Sequence, residues 1–278
     1  MITIYSAREF YTQYYTELLE NEAVHQLMIS NLNRVISTPE EGVLFAVCER
    51  EHRYFICNCP PFAMLVTRSG KSSDEEEMRV GEEIAMYVRE QGIKITGISA
   101  SKGIVDGFLL HNKNMYLSES MDIMVLTEVN RLKDLGVLQY ASSEHIEELA
   151  TMYIDFALEA LGDAPGRELA LDKIRTCVER NDAYILLDEG RIVSMCMTPR
   201  HVEKGKCISA VYTKPKYRGM GYCKSMISRV CERLLQQGDK FVTLYVDTMN
   251  PISNDAYRAV GFRVVESCYK YEYKEKTV

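Results

Sequence analysis

A glycine-containing loop in the C-terminal half of the chain has the residues to bind an anion. It reads Pro215-Lys216-Tyr217-Arg218-Gly219-Met220-Gly221-Tyr222-Cys223 and lies between a predicted strand and a predicted helix. A helix N-terminus offers successive backbone N–H groups, and its dipole favours negative charge. Glycine permits positive φ and lets a phosphate approach the main chain closely. Four basic side chains belong to this region: Lys214, Lys216, Arg218 and Lys224. The loop therefore predicts a site for a phosphate or pyrophosphate.

Two familiar phosphate-binding motifs do not fit this loop. A P-loop requires G-x-x-x-x-G-K-[ST], and the lysine position is missing here. A dinucleotide fingerprint requires G-x-G-x-x-G after the first strand of a βαβ unit, which the loop does not satisfy either. For the loop alone, a glycine-rich turn without a ligand stays open as an alternative.

A second motif follows the loop and makes the pair far more specific than either part. It reads Asn250-Pro251-Ile252-Ser253-Asn254-Asp255-Ala256-Tyr257-Arg258-Ala259-Val260-Gly261-Phe262. Together the two motifs resemble the GNAT superfamily of acyltransferases, whose members share R/Q-x-x-G-x-G/A and then N…Y…GF. The order, the spacing and the intervening helix and strand all agree. A looser similarity is to glycine N-acyltransferase-like proteins, in which an acyltransferase domain follows a degenerate one.

The resemblance implies an acyl-CoA-dependent N-acyltransferase. Such an enzyme moves an acetyl or other short acyl group from acyl-CoA to a primary amine, by direct attack in a ternary complex. The co-substrate would be acetyl-CoA, released as coenzyme A, and the acceptor a small-molecule amine. The implied cofactor-binding residues are Val211, Thr213, Arg218, Gly219, Gly221, Tyr222, Cys223, Lys224 and Asn250.

Within that set, the loop would hold the CoA pyrophosphate chiefly through main-chain N–H groups. Val211 and Thr213 would hydrogen-bond the pantetheine arm as an added strand does at a sheet edge, and Asn250 would face that arm. Cys223 departs from the family, which has Gly or Ala there. Its N–H is retained and its side chain is small, so we expect tighter packing rather than loss of binding.

The implied chemistry needs two further groups. A backbone N–H near Val211 or Tyr212 would polarise the thioester carbonyl as negative charge develops, and Tyr257 would protonate the departing thiolate. Two alternatives stay open: Tyr257 could simply pack on the sheet, and Asn250, followed by proline, is an ordinary helix N-cap. No metal is expected. The general base is not assigned, although four residues lie near predicted strand ends: Tyr184, His201, Glu203 and Asp247.

These residues are positioned by alternating strands and helices. In the C-terminal half, strands are predicted at 137–141, 183–188, 191–197, 207–213, 241–246 and 262–273, with helices between them. Glu189-Gly190 marks a hairpin, and Pro215 ends a strand because proline has no N–H for a ladder. The expected fold class is α/β (α+β), with two tandem GNAT-like domains, each a mixed, mostly antiparallel sheet flanked by helices.

The N-terminal half aligns with this pattern at a constant shift of 146 residues. Thr67 falls on Thr213 and Gly92 on Gly238, and no gap is needed between residues 63 and 98. We interpret this as a duplication, with a degenerate domain at 1–130 and a catalytic domain at 137–278. Arg218 to Cys223 fall on Ser72 to Glu77, where no glycine survives and four carboxylates stand in a row. The first copy is therefore predicted not to bind CoA.

Composition narrows the remaining function classes. The 278 residues carry a net charge of −7, with no concentrated basic face, which argues against a nucleic-acid partner. No apolar run reaches the about 20 residues that span a bilayer, and the start lacks the features of an export signal. Two functions without turnover stay open, a CoA-binding regulatory module and a ligand-binding scaffold. The oligomeric state is not predicted.

The chain has nine cysteines, an odd number, and contains no C-x-x-C pair. Reduced thiols are therefore expected, which favours the cytoplasm. Cys57 and Cys59 could hold a metal together with His52. We give this little weight, on the argument that alternating strand residues point to opposite faces.

Overall fold

The computed structural model describes residues 1–274 of the chain. These residues form two compact units. The first consists of Met1–Ile123, Asp247–Met249 and the chain from Val264 onward. The second consists of Met124–Val246 and Asn250–Arg263. Among the described residues, no helix is long and apolar enough to cross a membrane.

Residues 1–126 contain six strands and four helices. In chain order they are β1 (Ile2–Tyr5), α1 (Ala7–Leu18), α2 (Glu22–Ser37), β2 (Leu44–Glu49), β3 (Arg53–Asn58), β4 (Met64–Arg68), α3 (Asp74–Glu90), β5 (Gly97–Ala100), α4 (Lys102–Leu109) and β6 (Met115–Leu126).

Residues 137–273 repeat the same succession of strands and helices. The elements are β7 (Val137–Tyr140), α5 (Ile146–Leu161), α6 (Arg167–Glu179), β8 (Ala183–Asp188), β9 (Arg191–His201), β10 (Gly205–Thr213), α7 (Tyr222–Gln236), β11 (Phe241–Asp247), α8 (Pro251–Val260) and β12 (Arg263–Tyr273). A shift of 146 residues carries α3 onto 220–236, which α7 nearly fills, and β6 onto 261–272, which overlaps β12. The shared order supports the duplication, which remains a prediction.

The strands of each unit form a mostly antiparallel sheet, as the fold-class prediction requires. In the first unit the order is β1-β2-β3-β4-β5-β12-β6, with β4 and β5 parallel. In the second it is β11-β10-β9-β8-β7, with β10 and β11 parallel and the final residues of β6 beside β11. The mixed α/β fold is therefore confirmed.

The last strand of the chain lies where the sequence analysis did not place it. The predicted boundaries of 1–130 and 137–278 assign β12 to the second domain, whereas from Val264 onward it belongs to the first unit. It pairs antiparallel with β5, Tyr269 opposite Ala100 and Tyr271 opposite Ile98. Hydrophobic alternation within a strand identifies the strand but not its neighbour, which explains the difference.

Helices cover both faces of the second unit's sheet. We call these the α7/α8 face and the α5/α6 face. The side chains of β8 alternate between them, because Tyr184 and Leu186 belong to the α7/α8 core, and Ala183 and Ile185 to the α5/α6 core. Such alternation follows from the two-residue period of a strand. The same alternation shows to which face each side chain of the neighbouring strands points.

Candidate active site of the second unit

Strands β10 and β11 pair for only part of their length. Their parallel register runs from Gly205 opposite Phe241 to Ile208 opposite Leu244, yet β10 continues to Thr213. Beyond Ile208 the described register gives β10 no partner on β11. Backbone groups on this edge of β10 are therefore positioned to pair with a ligand that lies between the two strands.

An irregularity in β10 accompanies this separation. Ala210 has φ +48°, and the pairing of β10 with β9 shifts register on both sides of Ser209. Ile208 packs in the α7/α8 core and Ala210 in the α5/α6 core, although residues two apart in a regular strand share a face. A β-bulge of this kind redirects the strand, and bulges are frequent beside active sites. Alanine carries no sequence signal for positive φ, so this bulge was not predicted.

The loop after β10 has the backbone conformation of an anion site. Gly219 has φ +76° and Gly221 has φ +91°, and Gly221 is the N-cap of α7. Ser225 N–H donates to Gly221 O at 3.0 Å. The amides of the first three helical residues precede that bond and have no partner within the helix. A side chain at Gly219 would meet nothing within 4 Å, so the space beside these amides is open.

The basic side chains around the loop differ in what they contact. Arg218 donates through Nε to Thr213 O at 2.8 Å, and its Nη2 lies 2.8 Å from Glu159 Oε2 on α5. Lys214 pairs with Glu148. Within residues 1–274, Lys216 and Lys224 form no ion pair, and both are exposed. The Arg218 guanidinium thus anchors the loop to α5. The main-chain N–H groups of the loop are therefore the donors best placed to bind an anion.

Tyr257 lies on α8 with its side chain in the α7/α8 core. It is 8% exposed, and its ring centroid is 6.0 Å from that of Phe262 in an edge-on contact. Burial raises the pKa of the Tyr257 phenol well above its ordinary value, and the thiols of Cys223, Cys196 and Cys231 raise it further. The phenol is therefore protonated at neutral pH. It lies close enough to the start of α7 for Cys223 to affect its pKa. Both the packing role and the proton-donor role are compatible with this position.

The remaining predicted cofactor residues have identifiable contacts. Asn250 accepts from Ser253 N–H at 3.0 Å, so it is the N-cap of α8, while its role towards the cofactor stays a prediction. Thr213 Oγ1 lies 2.7 Å from Ser194 Oγ on β9. Val211 packs against the α7/α8 core. Tyr222 donates to Asp188 Oδ2 at 2.7 Å, which fixes the first turn of α7.

The four candidates for a general base can be narrowed. Tyr184 is fully buried, and burial raises its pKa, so its phenol cannot accept a proton at neutral pH. His201 Nε2 lies 2.6 Å from Asp182 Oδ1, and His201 pairs with Lys206 at the start of β10. Asp247 Oδ1 accepts from Met249 N–H at 2.8 Å, and the base stays unassigned.

Cys57 and Cys59 are neighbours in space, contrary to the prediction that they point to opposite faces. Residues two apart in a strand share a face, and the two buried sulfur atoms lie 3.2 Å apart. His52 is not their neighbour, since its Nδ1 lies 3.0 Å from Glu76 Oε2. All nine cysteines lie within the described residues and are unpaired.

The equivalent position in the first unit contains a carboxylate of the protein itself. Glu77, in the first turn of α3, is 5% exposed. Its Oε1 accepts from Ser72 Oγ at 3.0 Å and lies 3.1 Å from Arg68 Nε, and its Oε2 accepts from Ser101 Oγ at 2.6 Å. The charge run was predicted to repel phosphate at this helix terminus. Glu77 also keeps a buried negative charge in this first turn.

We expect Glu77→Ala to lower the free energy of unfolding by about 2–4 kcal/mol, because it removes a buried, hydrogen-bonded ion pair. Chemical denaturation measures this. The matched control is Glu75→Ala, in the same turn, whose side chain is 79% exposed and pairs only with Arg79. It should cost about 0.5 kcal/mol or less. Equal effects of the two variants would contradict the structural role of Glu77.

Comparison with known proteins agrees with this geometry. Residues 146–262 match the acetyltransferase (GNAT) family, which places a GNAT acetyltransferase family domain in the second half of the chain. None of the curated proteins compared with the chain matches it significantly.

Several solved structures have the same fold over nearly the whole chain. A GNAT-family acetyltransferase from Colwellia psychrerythraea is 12% identical, with a TM-score of 0.61, over 99% of this chain and 100% of its own. A GCN5-related N-acetyltransferase from Sphaerobacter thermophilus is 14% identical, with a TM-score of 0.62, over 98% and 94%. One from Kribbella flavida is 12% identical, with a TM-score of 0.55, over 92% and 97%. At these identities the similarity establishes the fold.

Proposed function

We propose that the protein is an N-acyltransferase that transfers an acetyl or other short acyl group from acyl-CoA to a primary amine. The observation that carries this proposal is the separation of β10 from β11 after Ile208. It leaves an unpaired strand edge that leads to the open helix N-terminus of α7, with the protonated phenol of Tyr257 in the adjacent core.

The second unit fits acyl-CoA in two respects. The loop leads into the N-terminus of α7, and the space beside Gly219 is open, which suits a pyrophosphate. The edge of β10 from Val211 to Thr213 lies beyond the described register with β11 and would pair with the amides of the pantetheine arm. Side chains contribute less here, since Arg218 is held by Glu159 and Asn250 caps α8.

In the proposed reaction the amine nitrogen attacks the thioester carbonyl in a ternary complex. A carbon–nitrogen bond forms and the carbon–sulfur bond breaks. A main-chain N–H near Val211 or Tyr212, beside the bulge, stabilises the negative charge that develops on the carbonyl oxygen. Tyr257 donates its proton to the leaving thiolate, and the amine loses its proton to a base that is not assigned.

The first unit is proposed to be a degenerate copy with a structural role. Both halves have the same order of elements, which supports a duplication. The carboxylate of Glu77, held by Ser72 and Ser101, adds negative charge to the first turn of α3, so this terminus has little capacity for a pyrophosphate. We also keep, as predictions, a cytoplasmic location and the absence of a nucleic-acid partner.

Calorimetric titration with acetyl-CoA tests the cofactor assignment. We expect one acetyl-CoA per chain, because the helix that follows β10 begins at glycines with positive φ, whereas the helix that follows β4 begins with four carboxylates. Two sites per chain would show that the first unit still binds cofactor. No binding at all would remove the proposed function.

A further inference from the structure

A histidine and two glutamates meet in the first unit, at the β2–β3 hairpin and the start of α3. Glu51 and His52 lie in the turn between β2 and β3, and Glu76 lies in the first turn of α3. One side-chain nitrogen or oxygen of each residue lies within 4.8 Å of those of the other two. We call these three residues the hairpin cluster. One imidazole with two carboxylates is a donor set that suits a divalent transition metal ion.

Two members of the hairpin cluster already hold each other in place. Glu76 Oε1 accepts from the backbone N–H of His52 at 3.1 Å, and Glu76 Oε2 lies 3.0 Å from His52 Nδ1. Tetrahedral ligands at about 2.0–2.2 Å from a zinc ion are about 3.3–3.6 Å apart, so these two atoms need to separate only slightly. Glu51 is exposed, and the contacts described within residues 1–274 include none to its side chain. It is therefore able to approach an ion without losing a partner.

A buried hydroxyl is directed towards the same place. Tyr54 is fully buried, and its hydroxyl has no hydrogen-bond partner among the residues that the structure describes. Burial raises the pKa of Glu76, but His52 and the Tyr54 hydroxyl lower it below its ordinary value, so this hydroxyl lies close to the carboxyl. A buried hydroxyl without a partner is costly. A small rotation of Glu76 on binding an ion would give it an acceptor, as an outer-shell hydrogen bond of the kind usual at metal sites.

The charges around the hairpin cluster favour a cation. Arg50, Arg53 and Arg68 are each paired with other glutamates. The positive end of the α3 dipole acts against a cation, but it amounts to only about half a unit charge. The carboxylates of Glu51 and Glu76 together carry more negative charge than that.

The second unit connects its hairpin and helix through different groups. A shift of 146 residues carries Glu76 onto Tyr222, in the first turn of α7. Tyr222 donates to Asp188 at the end of β8, next to the β8–β9 hairpin. A phenol bonded to one carboxylate is a poor donor set for a metal ion. The metal-binding donor set therefore belongs to the first unit, at the helix terminus that is predicted not to receive a pyrophosphate.

We propose that Glu51, His52 and Glu76 bind a divalent transition metal ion, such as zinc, which ties the β2–β3 hairpin to α3. This differs from the expectation, drawn from the sequence, that the protein binds no metal. Water would take the fourth position, as is usual where a zinc ion has three protein ligands. The role of the ion is structural, and the site is independent of the proposed acyl transfer.

Zinc binding to the whole chain tests this site. Reduced, metal-free protein is titrated calorimetrically with zinc at neutral pH, and its thermal unfolding is followed with and without zinc. We expect one saturable site and a higher unfolding midpoint with zinc, because an ion that binds the folded state stabilises it. Magnesium should give no comparable shift, since it prefers oxygen ligands in octahedral geometry. Absence of saturable zinc binding would overturn the proposal.

Variants identify the ligands. Glu51→Gln and His52→Ala should each weaken zinc binding by at least about 10-fold, the lower limit seen even for residues behind the ligands. Glu51→Gln decides if His52→Ala does not fold, because its side chain has no contact to lose. The matched control is Glu75→Gln, in the first turn of α3 with a side chain 79% exposed, which should keep the wild-type zinc affinity. Acetyl-CoA affinity should be unchanged in all three variants.

Two results of this series would contradict the site. Wild-type zinc affinity in Glu51→Gln would place the ion elsewhere in the protein, the cysteine thiols included. An equal loss of affinity in Glu75→Gln would show non-specific attraction to the acidic turn of α3. Either result would overturn the proposal and leave the proposed function untouched.

Discussion

Replacing Gly221 with glutamate is expected to weaken acetyl-CoA binding by roughly 10²-fold or more. Gly221 is the N-cap of α7, so the new carboxylate would lie where the pyrophosphate must approach the helix amides. Like charges at contact distance repel by about 1 kcal/mol in water and by several times more where water is partly excluded. Calorimetric titration with acetyl-CoA measures the loss of affinity.

Gly221→Gln is the matched control for this experiment. Gly221 has φ +91°, and a Cβ there would lie 3.4 Å from Leu135 Cδ1, so any side chain brings backbone strain and a close contact. Glutamine adds the same strain and nearly the same volume without the charge, and the difference between the variants isolates electrostatic repulsion. Wild-type affinity in Gly221→Glu, with cooperative unfolding retained, would contradict the assignment of the loop.

Removing the hydroxyl of Tyr257 is expected to lower kcat by roughly 10²- to 10⁴-fold, the usual size of an acid–base contribution. Tyr257→Phe keeps the buried ring and its contact with Phe262, so affinity for acetyl-CoA should change little. Because burial raises the pKa of the phenol well above its ordinary value, Tyr257 stays in the acid form throughout the neutral pH range. Tyr257 should therefore cause no decline of kcat in that range.

Tyr153→Phe provides the control for Tyr257→Phe. Tyr153 lies on α5, packs against the α5/α6 core, and is not part of the proposed site. Its variant should retain the wild-type kcat. A near-normal kcat in Tyr257→Phe, with pre-steady-state kinetics showing that chemistry limits the rate, would assign Tyr257 to packing alone.

Local sequence patterns predict most of the second unit. The proline after Thr213 and the two glycines before Tyr222 correctly mark the end of β10 and the start of α7. The Asn-Pro pair likewise marks the first turn of α8. Each of these signals acts within a few residues of the chain, through a missing N–H, a positive φ or a side-chain cap. That is why they can be read without the fold.

Features that depend on distant contacts could not be predicted in the same way. The bulge at Ala210 has no local signal, since alanine is ordinary in a regular strand. The pairing of Tyr269 with Ala100 joins residues far apart in sequence. The burial of Glu77 depends on Arg68 and Ser101 from other elements. From the sequence alone, a carboxylate in a run of four is expected to be solvated.

Turnover with acetyl-CoA and a panel of primary amines tests the central claim most directly. The proposed function predicts release of free thiol in a one-to-one ratio with an acylated amine, detected by mass spectrometry, for at least one acceptor in the panel. Calorimetric binding of acetyl-CoA without thiol release for any amine would contradict it. The second unit would then be a CoA-binding regulatory module, and the phenol of Tyr257 would have no thiolate to protonate.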